Sequence, residues 1–215
     1  MAANVETMFF TREKPWHGIG VQVMQAPKSS EALTLAGLDW KVVQEDIYTD
    51  SGNRIEGFKV NVRDCDSKVF GVVTDRYKVI QNDEAFAFTD ELLGDGVRYE
   101  TAGSLMEGRK VWLLAHLPHE YIIAGEKISP YLVFSNSHDG SGAIKVAVTP
   151  IRVVCNNTLN LALRTAKRSW STIHTGDILN KLEEASTTLF MADKYMANWA
   201  RNLKFCVNRS LLTNR

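Results

Sequence analysis

Residues 140–176 form a basic, amide-rich segment that contains no carboxylate. Lysine, arginine, asparagine and hydroxyl side chains are the groups that grip a phosphate backbone, which a nearby carboxylate would repel. An aromatic ring beside two basic residues is the combination that stacks single-stranded bases. The candidate contacts are Lys145, Arg152, Asn156, Asn157, Asn160, Arg164, Lys167, Arg168 and Trp170.

This pattern predicts a nucleic-acid-binding protein in which each residue type has its own role. The lysines and arginines would contact phosphates, the three asparagines would exchange hydrogen bonds, and Trp170 would stack on a base. No metal, cofactor or catalytic residue is required by such a mechanism. The alternative is a structural one, in which the basic segment pairs with acidic residues elsewhere in the chain and Trp170 lies in the core.

The charge distribution leaves both interpretations open. The net charge is zero, but residues 1–139 hold 21 acidic and 14 basic residues, whereas residues 140–215 hold 4 acidic and 11 basic residues. A split of this kind favours intramolecular pairing, a face for a polyanion, or association of an acidic surface with a basic surface of the next subunit. We therefore expect a homo-oligomer.

Other chemistry has weaker support in the sequence. The neighbourhoods of His138-Asp139 and Cys155-Asn156 suggest a hydrolase or nuclease, but no activating base lies near the cysteine in sequence. His116, His119 and His138 lack the spacing of a metal-ligand set. The glycines at 140 and 142 are not followed by the Gly-Lys-Ser/Thr of a phosphate-binding loop.

Composition narrows the class of protein further. The 215 residues have ordinary apolar and charged contents of 45% and 23%, which argue for a globular fold. Three widely separated cysteines form neither a disulfide framework nor a CxxC motif. The N-terminal sequence lacks the apolar run of a signal peptide, and no stretch resembles a membrane span. The expected location is the cytoplasm, with no membrane partner.

The elements that would position the basic segment are those of an α+β fold with largely antiparallel sheets. A short N-terminal helix, three strands and a mid-chain helix capped by Asn82 are predicted first, after an extended arm with a turn in residues 1–27. The predicted ranges are helix 31–36, strands 40–49, 55–62 and 68–74, and helix 83–93.

The second half is expected to add a hairpin, further strands, and two helices. Residues 154–166 fit neither helical nor strand periodicity well, and their length favours a helix. The predicted ranges are strands 98–104, 109–117, 121–124, 130–135 and 143–149, helix 154–166, strand 169–174 and a long helix at 178–204. We interpret residues 1–176 as one domain and 177–215 as a helical extension that packs on it.

Several motifs in order carry a family resemblance. They are PWHGIG at 15–20, LDW at 38–40, VTDRYKV at 73–79, SNSHDGS at 135–141 and RVVCNNTL at 152–159. Together they resemble the phage/plasmid-like protein family, a domain of unknown function found in prophages, phages and conjugative plasmids. The resemblance spans roughly residues 8–190 and implies a mobile-element protein, without implying an activity.

A second, topological likeness points in the same direction. A short helix, three antiparallel strands and a helix is similar to the core of the single-strand annealing proteins, which form rings or filaments on DNA. The leading hypothesis is therefore binding of single-stranded DNA in recombination, annealing or replication. The alternatives are a protein-interaction factor, such as an inhibitor of host defence, and a hydrolase or nuclease.

Overall fold

The computed structural model describes residues 4–94, 97–117, 121–123, 126–128, 130–166 and 168–176, together with residues 181, 184, 185 and 187. Three helices are described in full: α1 (Ser29–Leu35), α2 (Asn82–Leu93) and α3 (Asn156–Thr165). The strands are β1 (Val5–Thr11), β2 (Val21–Val23), β3 (Val42–Tyr48), β4 (Arg54–Arg63), β5 (Lys68–Thr74), β6 (Tyr99–Leu105), β7 (Lys110–His116), β8 (Tyr121–Ile123), β9 (Glu126–Ile128), β10 (Tyr131–Ser137), β11 (Ile144–Thr149) and β12 (Ser169–Thr172).

A seven-stranded sheet in the order β12-β11-β10-β7-β6-β1-β2 forms the centre of the fold. All neighbouring strands in it are antiparallel except β1 and β2. Alternate residues of a strand point to opposite faces, and both faces of this sheet are covered. Leu113 lies in the core on one face and Leu114 in the core on the other. Strands β6 and β10 are buried along their whole length, and β7 is buried between its two end residues.

Helices α1 and α2 cover one face of the sheet, and α2 has clear boundaries. It begins where the backbone N–H of Gln81 donates to Glu84 Oε2 at 2.8 Å, and it ends at Gly94, which has a φ of 79°. Phe86 and Leu92 of α2 enter the core shared with Phe134 of β10. The helical spacing of its apolar residues therefore serves packing.

Helix α3 covers the opposite face. Leu159 and Ala162 are buried against Trp112, Leu114 and other residues of the sheet. These two positions are three apart, so they lie on one side of the helix and leave its other side exposed. The segment 153–155 before the helix is buried with them.

A separate three-stranded antiparallel sheet, β3-β4-β5, packs its inner face on the end of β10. The Nδ2 group of Asn61 donates to the carbonyl of His138 at 2.7 Å, and a Cβ at Gly71 would lie only 2.7 Å from the carbonyl oxygen of Asp139. Its outer face exposes the apolar side chains of Val43, Phe58, Val69 and Val72 on neighbouring strands, and Glu45 lies on the same face.

The α+β class, the antiparallel sheets, the short N-terminal helix and the mid-chain helix after three strands are confirmed. Three local predictions differ. The expected extended arm is two strands of the main sheet, and α3 begins at Asn156, two residues later than predicted. Asn82 is the first helical residue and not the cap, because Gln81 occupies the cap position. The buried amide of Asn82 instead donates to the Leu38 carbonyl at 3.0 Å.

The long C-terminal helix predicted at 178–204 falls mostly outside the described residues. Within it, residues 181, 184, 185 and 187 are helical, and Ala185 is buried in the core beside α1 and α2. The remainder of the predicted extension, including the last 28 residues, lies outside the part of the chain that the structure describes.

Candidate nucleic-acid interface

The exposed side of α3 carries polar and basic side chains without a carboxylate. Thr158 fixes the start of the helix, because its Oγ1 accepts hydrogen bonds from the backbone N–H groups of Val154 and Cys155 at 2.9 and 3.0 Å. Asn157, Asn160 and Arg164 are exposed along the helix. Spacings of three and four residues place all three on one side.

Strands β11 and β12 extend this surface. Lys145 is exposed, whereas its neighbours Ile144 and Val146 are buried in the core with α1 and α2. Because strand residues alternate, Lys145 lies on the face that α3 covers. Ser171, which pairs with Lys145, and Ser169 are exposed on the same face. We call Asn157, Asn160, Arg164, Lys145, Ser169 and Ser171 the α3 surface.

Arg152 has a different environment from these residues. Its Nε group donates to Glu100 Oε1 at 2.7 Å, one Nη group donates to the carbonyl of Glu13 at 3.0 Å, and the other donates to the carbonyl of Thr11. The guanidinium therefore ties the residues before α3 to the end of β1. Arg152 therefore pairs with the first half of the chain. Intramolecular pairing of this kind is one of the interpretations that the charge distribution allows.

Glu100 is the centre of that pairing. Only 1% of its side chain is exposed, and Oε1 accepts hydrogen bonds from both Arg152 and Arg12, while Oε2 accepts one from His116 Nε2 at 2.8 Å. Burial alone would raise the pKa of Glu100, but the hydrogen bonds from His116, Arg12 and Arg152 outweigh it and lower the pKa to about 2. The carboxylate is thus charged at neutral pH. No motif in the sequence indicated this residue.

The remaining predicted contacts are placed less favourably for a ligand. Trp170 is half-buried against the core of α1 and α2, on the face of the sheet opposite Lys145. Asn156 is half-buried, and its Oδ1 atom lacks a hydrogen-bond partner among the described residues. Arg168 is half-buried, and Lys167 lies outside the described residues.

A turn with an exposed tryptophan adjoins the α3 surface. Trp16 is 71% exposed, and the ring of His17 packs edge-on against it at 5.4 Å between centroids. The Nε2–H of His17 donates to the carbonyl of Val154 at 2.8 Å, and its Nδ1 accepts from the backbone N–H of Ile19 at 3.1 Å. The turn is therefore fixed to the residue two positions before α3.

The neighbourhoods considered for a hydrolase lie on opposite faces of the main sheet. His138 is fully buried between Trp40 and Phe70, and burial together with repulsion from His174 lowers its pKa to about 3. Cys155 is buried in the core under α3. Within the described part of the chain, no three His, Cys, Asp or Glu side chains come together in a way that could hold a metal ion.

The fold and the surface define an α+β protein with a mainly antiparallel sheet covered by helices, in which the helix on one face exposes Asn157, Asn160 and Arg164. The sequence profile described as "Domain of unknown function (DUF932)" matches residues 69–212, about two thirds of the chain. The chain belongs to this family. No curated protein and no solved structure gave a significant match. None of the described helices has the combined length and apolarity needed to cross a lipid bilayer.

Proposed function

We propose that the protein binds single-stranded nucleic acid through the α3 surface. The observation that carries this proposal is that exposed Lys145, Arg164, Asn157 and Asn160 lie on one face, within a segment that lacks any carboxylate. Phosphate oxygens accept hydrogen bonds from lysine, arginine and asparagine side chains alike. A polyanion would thus meet donors and positive charge without local repulsion.

The contact set in this proposal is narrower than the one the sequence alone predicts. Arg152 donates hydrogen bonds to Glu100 and two carbonyls, and Trp170 packs on the opposite face. Neither residue is therefore a proposed contact to the nucleic acid. Lys167, Arg168 and Asn156 stay as predicted contacts at the two ends of α3. The phosphate-binding role falls mainly on Lys145 and Arg164.

The motif resemblance extends this proposal to a biological setting. It supports a phage or plasmid protein in the cytoplasm of a bacterial or phage-infected cell. Together with the α3 surface, this setting leads us to propose that the protein acts on single-stranded DNA during recombination, annealing or replication. The order α1, β3, β4, β5, α2 is also consistent with the likeness to single-strand annealing proteins. We further propose that the protein is a homo-oligomer, as these proteins are.

The test is a titration of a fluorescently labelled 30-nucleotide strand at about 50 mM salt, where phosphate contacts are strongest. We expect the double substitution Lys145→Glu and Arg164→Glu to weaken binding at least tenfold. The slope of log affinity against log salt concentration should also decrease in magnitude by about 1.4, because each of the two lost phosphate contacts contributes about 0.7 to the slope for a single strand.

The matched control is Lys28→Glu with Lys41→Glu, which makes the same change in net charge. Both residues are exposed and lie on the other side of the main sheet, because Lys28 immediately precedes α1 and Lys41 pairs with Asp83 of α2. This control is expected to bind nearly as well as the parent protein. Absence of binding by the parent protein at about 50 mM salt, or equal losses in the two double variants, would contradict the proposal.

The apolar outer face of β3-β4-β5 favours a second candidate function, that of a protein-interaction factor. Contiguous exposed apolar side chains are typical of protein-binding surfaces. Val72→Lys and Phe58→Lys would disrupt such a surface without touching α3. Loss of biological function in this variant, with strand binding intact, would favour the second candidate over the first.

A further inference from the structure

Trp16 is presented to solvent by a turn that holds it in place. The backbone N–H of Gly18 donates to the carbonyl of Pro15 at 3.0 Å, which closes the turn around the indole. At Gly20, where φ is 113°, a Cβ would lie 2.6 Å from Met8 Cγ, so the chain returns directly onto β1. The exposed ring therefore sits on a constrained support, with the His17 ring packed beside it.

This turn and α3 belong to one continuous surface. Two side chains connect them, because His17 donates to the carbonyl of Val154 and Arg152 donates to the carbonyl of Glu13. Residues 152–154 lead directly into α3. Trp16 is thus fixed near the end of the helix at which Asn157 is exposed.

The charge around the turn also suits a nucleic acid. Arg12 is 59% exposed and shares the single carboxylate of Glu100 with Arg152, which leaves this cluster with an excess positive charge. Exposed Glu13 and Lys14 offset each other. A phosphate beside Arg12 would therefore meet a net positive field next to an aromatic face.

We propose that Trp16 is the base-stacking platform of the interface, with Arg12 contacting a phosphate beside the stacked base. This inference rests on the proposed function and adds what the α3 surface lacks. Phosphate contacts alone do not distinguish one strand from two, whereas an aromatic ring can stack only on bases whose faces are accessible. Trp16 thus gives the interface its preference for single strands.

The experiment compares the parent protein with Trp16→Ala and Trp16→Phe, on a single strand and on a duplex of the same length. Because stacking on one base is worth about 1–3 kcal/mol, Trp16→Ala should weaken single-strand binding roughly 5- to 150-fold. Duplex affinity should stay within about twofold, since a duplex offers no free base face. Trp16→Phe should retain most of the single-strand affinity.

A strand without bases distinguishes stacking from a structural effect. We expect Trp16→Ala and the parent protein to bind this strand equally, because no ring remains to be stacked. If the parent protein binds neither form of DNA at about 50 mM salt, the proposed function fails. If it binds with the expected salt dependence, but Trp16→Ala binds normal single strands as tightly as the parent protein, the stacking role alone is overturned.

Discussion

At the scale of single residues, Glu100 is the buried charge around which two distant parts of the chain are fixed. Arg12 lies 88 residues before it and Arg152 lies 52 residues after it. Breaking a buried ion pair leaves the remaining charges without compensation, which costs more than the loss of a surface pair. The turn that carries Trp16 depends on this arrangement, since Arg152 also binds the carbonyl of Glu13.

We therefore expect Glu100→Gln to lower the free energy of unfolding by about 2–3 kcal/mol, below the range for fully buried pairs because Arg12 is mostly exposed. Urea denaturation at pH 7 measures this change. Glu107→Gln is the matched control, because Glu107 forms an exposed ion pair with Lys68 and its loss should leave the midpoint nearly unchanged. Similar urea midpoints for the Glu100→Gln and Glu107→Gln proteins would show that Glu100 stabilises the fold no more than an exposed carboxylate does.

The sequence indicated part of the candidate site at this scale. Lys145, Asn157, Asn160 and Arg164 lie on exposed positions, as a surface role requires. The basic neighbours of Trp170 predict that it stacks on a base, but the alternation of β12 turns its ring towards the core. Glu100 could not be identified beforehand, since its partners come together only when the sheet forms.

At the scale of elements, the close approach of β1, β6 and β7 depends on Gly103. A Cβ at this position would lie 2.3 Å from the carbonyl oxygen of Thr7 and 2.6 Å from the indole of Trp112. The first contact is with backbone, which cannot be relieved by a change of rotamer. Only glycine therefore allows these three strands to pack at their observed separation.

Gly103→Ala is expected to destabilise the protein by about 3 kcal/mol, at the upper end of the usual cost of overpacking. Thermal and urea denaturation would report the loss. Gly142→Ala serves as a control with the same chemical change, because its Cβ would meet Ser137 Cβ at 3.1 Å, which is a much milder contact. A Gly103→Ala protein as stable as the Gly142→Ala protein would show that β1 can shift without cost.

The elements were predictable where a local pattern determines them. The apolar spacing of α2, the alternation of β4 and the β-branched residues of β5 are visible in the sequence, and they predict these three elements correctly. The sequence pattern does not predict the two N-terminal strands. β1 is stabilised by pairing with β6, about a hundred residues away, and β2 has only three residues. Their short sequences carry no sign of the sheet that they join.

At the scale of the whole molecule, buried histidines link stability to pH. Burial lowers the pKa of His138 to about 3, and burial lowers that of His174 as well. Both rings bind protons more readily in the unfolded chain, where the histidine pKa is near 6.5. The stability that they contribute is therefore complete above about pH 6.5 and is lost as the pH falls below it, for His138 down to about pH 3.

We expect the free energy of unfolding to fall by up to about 1.4 kcal/mol per pH unit for each such histidine below pH 6.5. In His138→Gln the slope between pH 6 and 4.5 should be shallower, because one protonation site is gone. Glu100 does not disturb this comparison, because its low pKa contributes equally to the slope of the parent protein and of the variant. Identical slopes in the parent protein and the variant would exclude His138 as a source of the pH dependence.

The order of strands in the main sheet sets the timing of folding during synthesis. β1 is made first, yet its antiparallel partner β6 follows only after about a hundred further residues, as the pairing of Val5 with Leu105 shows. At typical elongation rates of about 5–20 residues per second, β6 is synthesised roughly 5–20 s after β1. Throughout that interval Met8, Phe9 and Phe10, which end in the two cores, are exposed on the nascent chain. The N-terminal strand is thus a natural binding site for a chaperone until the ribosome has passed β6.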